Sequence, residues 1–414
     1  LVMGVLRWRS KLDGAIAAAS ARQLNKLDRE VVTALRLAVY QLRFLSRVPP
    51  SAAINQSVEL VKRARKTSAV PFANAVLRKI AKSAGIPAVP VKDGGGDLRT
   101  IAGNAAALPE LSANSLAEKY AHPAWVVERW AAAYGLEQAK QICVFDQQVP
   151  PSALRLESPE AEQELTQAGV RLEPGRLLRN ARTVLSGDIV HTPTFAEGRV
   201  SVQDEGSQLV AALVGRGSRI LDCCAAPGGK TAALAAQNPT ATILATELHA
   251  HRAELLRKRV RAANVQVVHA DILQLPLSRD FDRVLADVPC SGTGTLARNP
   301  EIKWRLRPED LADLHARQVA ILRAALQQLA PGGRVVYSTC SLEREENEAV
   351  VEEVLSAAPE FALQDCRLEL EMLRNQQELV WSDVDSLLRG PFLRTIPGVH
   401  LCDGFFAAVI ARTK

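Results

Sequence analysis

Residues 221–231 read LDCCAAPGGKT. The stretch closes an apolar run that includes Ile220 and Leu221, passes through a glycine turn, and enters the helix-forming run KTAALAAQ (230–237). That is the layout of a strand, a tight turn and a helix. Its Gly-Lys-Thr ending invites comparison with a phosphate-binding loop. Such a loop needs Gly-x-x-x-x-Gly-Lys-Ser/Thr, and the position of the first glycine holds Cys224. The GxGxxG pattern fails as well, because Gly228 and Gly229 are the loop's two glycines. What remains is a glycine turn behind an acid, Asp222, in which two glycines let the backbone approach a ligand closely.

The strand–helix pattern continues outward. ATILATE (241–247), VQVVHAD (265–271), FDRVLADVP (281–289), GGRVVYSTC (332–340) and GFFAAVIART (404–413) read as strands. AHRAELLRKRVRAA (250–263) and PEDLADLHARQVAILRAALQQLA (308–330) read as helices between them. The alternation predicts an α/β class, a Rossmann-like parallel sheet covered on both faces, over residues 201–414. Ligands of such sheets lie beyond the carboxyl ends of the strands. Glu247 ends the second strand, placed to accept from both hydroxyls of a ribose. Asp271 ends the third, in reach of an adenine amino group. Any one acid at a strand end reads best as a solvated residue. Asp222, Glu247 and Asp271 in register favour an adenosine nucleoside, and S-adenosylmethionine is the candidate that needs no phosphate loop.

Two cysteines fall at the same edge. Asp287 ends the fourth strand and runs into PCSGTG (289–294), which carries Cys290; Cys340 ends the fifth. They are expected near one another over the cofactor. Free cysteines are more often small buried hydrophobes, and Cys143, Cys223, Cys366 and Cys402 are read so. A helix is expected from about residue 342, with Ser341 as its cap, and the unpaired N–H groups at such an end favour a Cys340 thiolate. Glu343, Glu345 and Glu346 act against that, Lys230 or a sulfonium with it. A thiolate suits one methyl transfer in particular. Carbon 5 of cytosine is a poor nucleophile until a thiolate adds to carbon 6 and turns the ring into an enamine. Asp287 suits the hydrogen bonds to N3 and the exocyclic amine, and a second cysteine can assist release once the carbon 5 proton has left.

The rest of the chain is of another kind. Residues 1–90 hold 16 Lys and Arg against 4 Asp and Glu, although the 414-residue chain has a net charge of only +6. DREVVTALRLAVYQLRFL (28–45) repeats apolar residues at helical spacing, with Val31, Leu35, Leu42 and Leu45 on the stripe; SAAINQSVELVKRARK (51–66), capped by Ser51, and FANAVLRKIAK (72–82) follow. Residues 1–82 therefore read as an all-α, basic, nucleic-acid-binding domain. The chain opens at Leu1 within an apparent helix, so an N-terminal truncation is expected. Residues 83–112, with a triple glycine and three prolines, read as a linker, and 113–200 as a small α+β insert. Seven cysteines with no CxxC pair give little support to a zinc site or a disulfide framework. No apolar run reaches the ~18 residues of a membrane span, so a cytoplasmic protein is expected.

DCCAAPGGKT, DVPCSGTG and YSTCSLEREENE, with VSVQDEGSQLV before them, resemble the signature motifs of the Sun/Nop family of RNA cytosine-C5 methyltransferases. VYQLRFLSRVPPSAAINQSVELVK and FANAVLRKI are similar to a NusB-like RNA-binding domain, so the resemblance covers essentially the whole chain. It implies a Rossmann-like class I methyltransferase domain, a NusB-like domain, S-adenosylmethionine as cofactor, and 16S rRNA as partner of a monomer that binds neither DNA nor membrane. The family's cofactor loop falls on Cys224, Ala225, Ala226, Pro227, Gly228, Gly229 and Lys230, with Glu247, Asp271 and Asp287 completing the pocket. Glu247 stands where many relatives have Asp. The family's Thr-Cys nucleophile falls on Cys340, and its Pro-Cys cysteine, which helps release the product, on Cys290. A methyltransferase for tRNA or for another rRNA site is the alternative within this chemistry. From a different class, the alternative is a non-catalytic RNA-binding assembly factor, which loss of either strand-end cysteine would have favoured.

Overall fold

The computed structural model describes residues 1–83 and 112–413; the linker expected at 83–112 lies, but for its two end residues, outside them. The chain forms two compact units, Leu1–Val149 with Ala297–Arg305, and Pro150–Leu296 with Leu306–Lys414.

The first unit is helical. Its helices include Arg9–Ser20, Arg29–Phe44, Pro50–Arg63 and Val70–Lys82, then Ala113–Lys119, Ala124–Tyr134 and Leu136–Asp146. Trp8, Leu12, Ile16, Leu35, Val61 and Leu77 share one core, which the apolar stripes of these helices build. Val31 and Leu35 lie in that core, whereas Leu45, past the helix end, is exposed. Ser51 is not a cap: the helix already starts at Pro50, with Pro49 at the N-cap and no side-chain capping bond. Proline at the first helical position brings its own fixed φ and needs no N–H partner.

The units do not divide the chain where composition does. Helices 113–146 belong with the basic helices, and Ala121 packs into their core. Residues 297–305, which follow the Cys290 loop in sequence, belong there too, and polar bonds explain it. The buried Lys303 donates to the carbonyls of Arg7 (3.1 Å) and Ala121 (3.2 Å), and Trp304 donates to that of Leu6 (2.6 Å). In return Arg7 donates to the carbonyl of Ala297 (2.6 Å). Asp146, fully buried, meets His122 at 3.2 Å. Burial pushes the Asp146 carboxyl up, opposed by Lys303, and holds the His122 imidazole well below its ordinary range.

The second unit carries both sheets. Strands β1 (Ala153–Leu156), β2 (Arg171–Pro174), β3 (Ala181–Ser186) and β4 (Val200–Val202) form an antiparallel sheet of order β2-β3-β1-β4. The large sheet contains β5 (Arg219–Asp222), β6 (Thr242–Glu247), β7 (Val265–His269), β8 (Phe281–Asp287), β9 (Leu329–Thr339), β10 (Phe361–Gln364), β11 (Leu388–Arg389), β12 (Phe392–Arg394) and β13 (Phe406–Arg412). Its order is β11-β12-β13-β9-β8-β5-β6-β7, with β10 also on β13. Strands β5 to β9 are parallel and β13 is antiparallel to β9. One apolar cluster joins helix Glu205–Val214 to the sheet and another joins helix Asp310–Gln327 to it. The chain runs outward from β5 to β7 and returns to place β8 beside β5. Strand order reverses there, which is where a doubly wound sheet opens its binding crevice.

His400 is fully buried in this unit, where its Nδ1 accepts from the Ile396 N–H (2.8 Å). Burial lowers its pKa to about 4, against about 6.5 for an exposed imidazole. The unfolded chain therefore binds a proton that the folded one refuses between these values, and stability present above pH 6.5 is lost as pH falls toward 4. This group contributes up to about 3 kcal/mol of that loss. His400→Asn keeps an acceptor for Ile396 and cannot charge, so its denaturant-unfolding stability should fall less between pH 7 and 4.5 than the wild type's. Equal losses would dismiss the role of His400.

Candidate active site

The glycine turn sits at the switch point. β5 ends on Asp222, and helix Gly229–Gln237 starts behind Gly228. The loop between is tied to β6: Ala225 N–H donates to the Thr246 carbonyl (2.9 Å), and the Thr246 hydroxyl to the Cys223 carbonyl (2.8 Å). Arg252 holds the Ala226 carbonyl from the next helix (2.8 Å). Asp222 is buried and accepts from the Thr231 hydroxyl (2.7 Å); burial pushes its pKa up to about 7. The two glycines differ. Gly228 has φ +109°, and a Cβ there would lie 2.8 Å from both Leu256 and Val260. A Cβ on Gly229 would meet Gln203 at an ordinary 3.6 Å.

Glu247 ends β6, nearly buried, where it accepts from the His249 N–H (3.0 Å) with Arg252 at 3.7 Å. Asp271 is set further out. β6 and β7 pair Glu247 with His269, so Asp271 lies two residues past that level, and its carboxylate caps the next turn at Leu273 (3.0 Å). Asp287 ends β8. One of its oxygens accepts from Lys230 (2.8 Å) and the other from the Ser338 hydroxyl (2.7 Å). Burial works against the Lys230 charge, but Asp287 and then Cys340 outweigh it and hold its pKa above the ordinary value. Cys224 lies among Asp222, Asp287 and Glu247, and burial followed by those charges pushes its thiol well up. Cys143, Cys223, Cys366 and Cys402 are buried, as packing residues should be.

The sulfurs of Cys290 and Cys340 are 3.3 Å apart. The hydrogen bond with Cys340, then burial, then the charges of Cys340 and Glu346 raise the Cys290 pKa well above an ordinary thiol's. Cys340 does not stand at a helix end. Residues 344–346 form one 3-10 turn and the α-helix starts at Glu348, with Asn347 as its N-cap. Ser341 is not a cap either: its hydroxyl binds Glu346, and Asn347 holds the carbonyls of Ser341 (2.9 Å) and Glu343 (2.8 Å). Those bonds keep the chain non-helical after Cys340. The backbone ties the loops as well, since Gly294 N–H donates to the Cys340 carbonyl (2.9 Å). A Cβ on Gly294 would lie 2.9 Å from that oxygen. Sequence reading missed Ser291, Ser341 and Glu346 as a joined group. The signal was there, in a serine directly after each cysteine.

Sheet order, glycine turn and strand-end acids together define a Rossmann-like methyltransferase. The family described as 16S rRNA methyltransferase RsmB/F matches residues 213–411, the NusB family 1–82, and an RsmF/B-like ferredoxin-like domain 122–185. The chain belongs to the RsmB/F family of RNA methyltransferases, with a NusB domain before the catalytic one. It is 31% identical over 420 residues to a probable ribosomal RNA small subunit methyltransferase B of Bacillus subtilis, covering 98% of this chain and 88% of that one. It is 32% identical over 422 residues to the ribosomal RNA small subunit methyltransferase B of Vibrio cholerae, covering 99% and 87%. Among solved structures, a methyltransferase homologue from Pyrococcus horikoshii aligns with a TM-score of 0.58 at 26% identity, over 73% of this chain and 100% of that one.

The glycine geometry gives an asymmetric expectation. Gly228→Ala forces a side chain into positive φ and into Leu256 and Val260, and should destabilise the protein by roughly 1–3 kcal/mol. Gly229→Ala enters a helix with room to spare and should leave the melting temperature unchanged or higher. Thermal unfolding of the two variants side by side checks this; equal losses would refute it.

Proposed function

We propose that this chain transfers a methyl group from S-adenosylmethionine to carbon 5 of a cytosine in 16S rRNA, cytosine 967, through a covalent bond between Cys340 and carbon 6. The contact of the two sulfurs at 3.3 Å, at the ends of adjacent parallel strands, carries the reading. Cys340 falls on the family's Thr-Cys position and takes the role of attack; Cys290 falls on its Pro-Cys position and takes that of release.

The loop fits a phosphate-free, cationic nucleoside. Lys230 is held by Asp287, so the Gly-Lys-Thr lysine is turned to a carboxylate instead of to phosphates. Asp222, Glu247 and Asp287 make the surroundings acidic, which suits a sulfonium. Residues 224–229 would line the cofactor, Glu247 would accept from its ribose, and Asp271 would bound the adenine side. When bound, S-adenosylmethionine supplies an electrophilic methyl group.

The protein's own groups do the rest. Cys340 adds to carbon 6 and makes carbon 5 nucleophilic. Asp287 retains lone pairs beyond those taken by Lys230 and Ser338, and accepts from the cytosine's exocyclic amine. After methylation Cys290, beside Cys340, takes the carbon 5 proton as general base, and the C6–S bond breaks to expel Cys340 as thiolate. The target base must first be unstacked or flipped out.

Cys340→Ala should abolish methylation and leave cofactor binding intact. Cys290→Ala should instead accumulate a covalent protein–RNA adduct, visible as a shifted band on a denaturing gel. The reverse pattern would exchange the two roles. Bisulfite sequencing of rRNA with and without the gene locates the base, and a modified site elsewhere, or in tRNA, would displace cytosine 967.

The basic helical unit supplies the RNA grip in this reading. Lys62, Arg63 and Arg65 are exposed together at the end of helix Pro50–Arg63. Replacing all three with Gln should weaken RNA binding and reduce the slope of log K against log salt by roughly 2–3, about one for each phosphate that is no longer neutralised. An unchanged slope would remove this patch from the interface.

A further inference from the structure

Directly after each reactive cysteine stands a serine, and one buried carboxylate holds both. Glu346 is fully buried. One of its oxygens accepts from the Ser291 N–H (2.8 Å) and from the Gln318 amide (2.9 Å). The other accepts from the Ser291 hydroxyl (2.5 Å) and from the Ser341 hydroxyl. The two hydroxyls are also 3.1 Å from each other. Tyr337, buried in the strand before Cys340, donates to the Glu346 carbonyl (2.6 Å) and fixes the backbone that carries the carboxylate.

The donor count closes. Ser291 and Ser341 each have one hydroxyl proton, and both are directed at Glu346. The Ser341 oxygen still accepts from the Glu343 N–H (3.0 Å) and stands 3.3 Å from the Thr293 hydroxyl, which itself accepts from the Leu342 N–H (2.9 Å). Four donors from three elements thus converge on a side chain that touches neither sulfur. A buried carboxylate is retained only where such bonds replace its water. Here two of the donors lie on the Cys290 loop and one on the Cys340 loop.

We infer that Glu346 is a positioning residue which, through Ser291 and Ser341, holds the Cys290 and Cys340 loops so that their sulfurs stay in contact. The carboxylate takes no part in proton or methyl transfer. It fixes the distance between attacking and releasing groups, so methylated adduct is resolved as fast as it forms. The assignment of attack and release rests on the function proposed above; the clamp itself does not.

An arsenical separates the two. Phenylarsine oxide bridges two neighbouring thiols, forming two As–S bonds and releasing water. The wild type should bind it through Cys290 and Cys340, with Cys290→Ala and Cys340→Ala as controls that remove this binding. Ser291→Ala combined with Ser341→Ala removes the link and leaves the carboxylate two donors. Each hydrogen bond to a charged acceptor is worth roughly tenfold or more. The double variant should therefore bind the arsenical at least about tenfold more weakly, with a lowered melting temperature but a folded far-UV circular dichroism spectrum at the assay temperature. Its kcat should fall with KM for RNA unchanged, and covalent adduct should accumulate. Glu346→Gln, which keeps one acceptor and the shape, should show smaller losses of chelation and of kcat than Glu346→Ala. A folded double variant that chelates the arsenical and turns over like the wild type overturns the inference. If chelation is lost but adduct is trapped on Cys290 instead, the clamp stands and the proposed roles of the two cysteines fall.

Discussion

The parallel pairing of β8 with β9 sets Asp287 opposite Ser338, and the rest of the site is arranged by that register. A parallel pair brings both carboxyl ends to one edge of the sheet. Three residues past Asp287 is Cys290, and two past Ser338 is Cys340, so the loops that leave the edge meet. The hydrogen bond from Ser338 to Asp287 locks the register at its last rung. A slip of one residue would turn Ser338 to the opposite face of the sheet and part the two loops. The sulfur contact, the Lys230–Asp287 pair and the Gly294 tie all presuppose this alignment.

Acidic groups outnumber what a cofactor would need, and their partners explain why. Asp222 is held by a hydroxyl, Glu346 by hydroxyls and amides, and Glu205 by the N–H groups of Arg176, Leu177 and Leu178. Neutral donors satisfy these buried carboxylates and fix them in place. Asp287 differs in taking a cation, Lys230. The pairing withdraws from the loop the ammonium that would otherwise suit a phosphate, and leaves a pocket whose field favours a positive ligand.

Much of the catalytic unit was legible because its signals are local. A strand ending in an acid, a glycine turn and a helix follow one another within a dozen residues, and the alternation of strands with helices prescribes a doubly wound sheet. Glu247 and Asp287 fell at strand ends for that reason. Asp271 did not stay in line, since β7 stops at His269 and the chain turns before the acid is reached. The cap expected at Ser341 failed for a different cause. A serine before a run of glutamates looks like a helix start, yet Glu346 reaches back to its hydroxyl and Asn347 to the local carbonyls. Local propensity was overruled by side-chain bonds within residues 341–347, and the Glu346 carboxylate that makes one of them is itself held by Ser291, 55 residues away, which nothing in a window around Cys340 records.

The division into units was illegible for the same reason in stronger form. Residues 297–305 look like a loop of the catalytic domain, but Lys303 and Trp304 donate to carbonyls at the start of the chain, and Arg7 reciprocates. These are bonds between segments nearly 300 residues apart, and each joins a buried or half-buried donor to a backbone acceptor. Their removal would leave donors of the buried Lys303 and Arg7 unmatched, a larger penalty than the loss of the same bonds at a surface. The first helix is thus part of what holds this segment. The loop that carries Cys290 belongs to the other unit and is held there by its own contacts. The near end is fixed by β8 and the middle by Glu346. A loop restrained at these two points, one of them by a residue distant in sequence, has little freedom to let its thiol drift from the other.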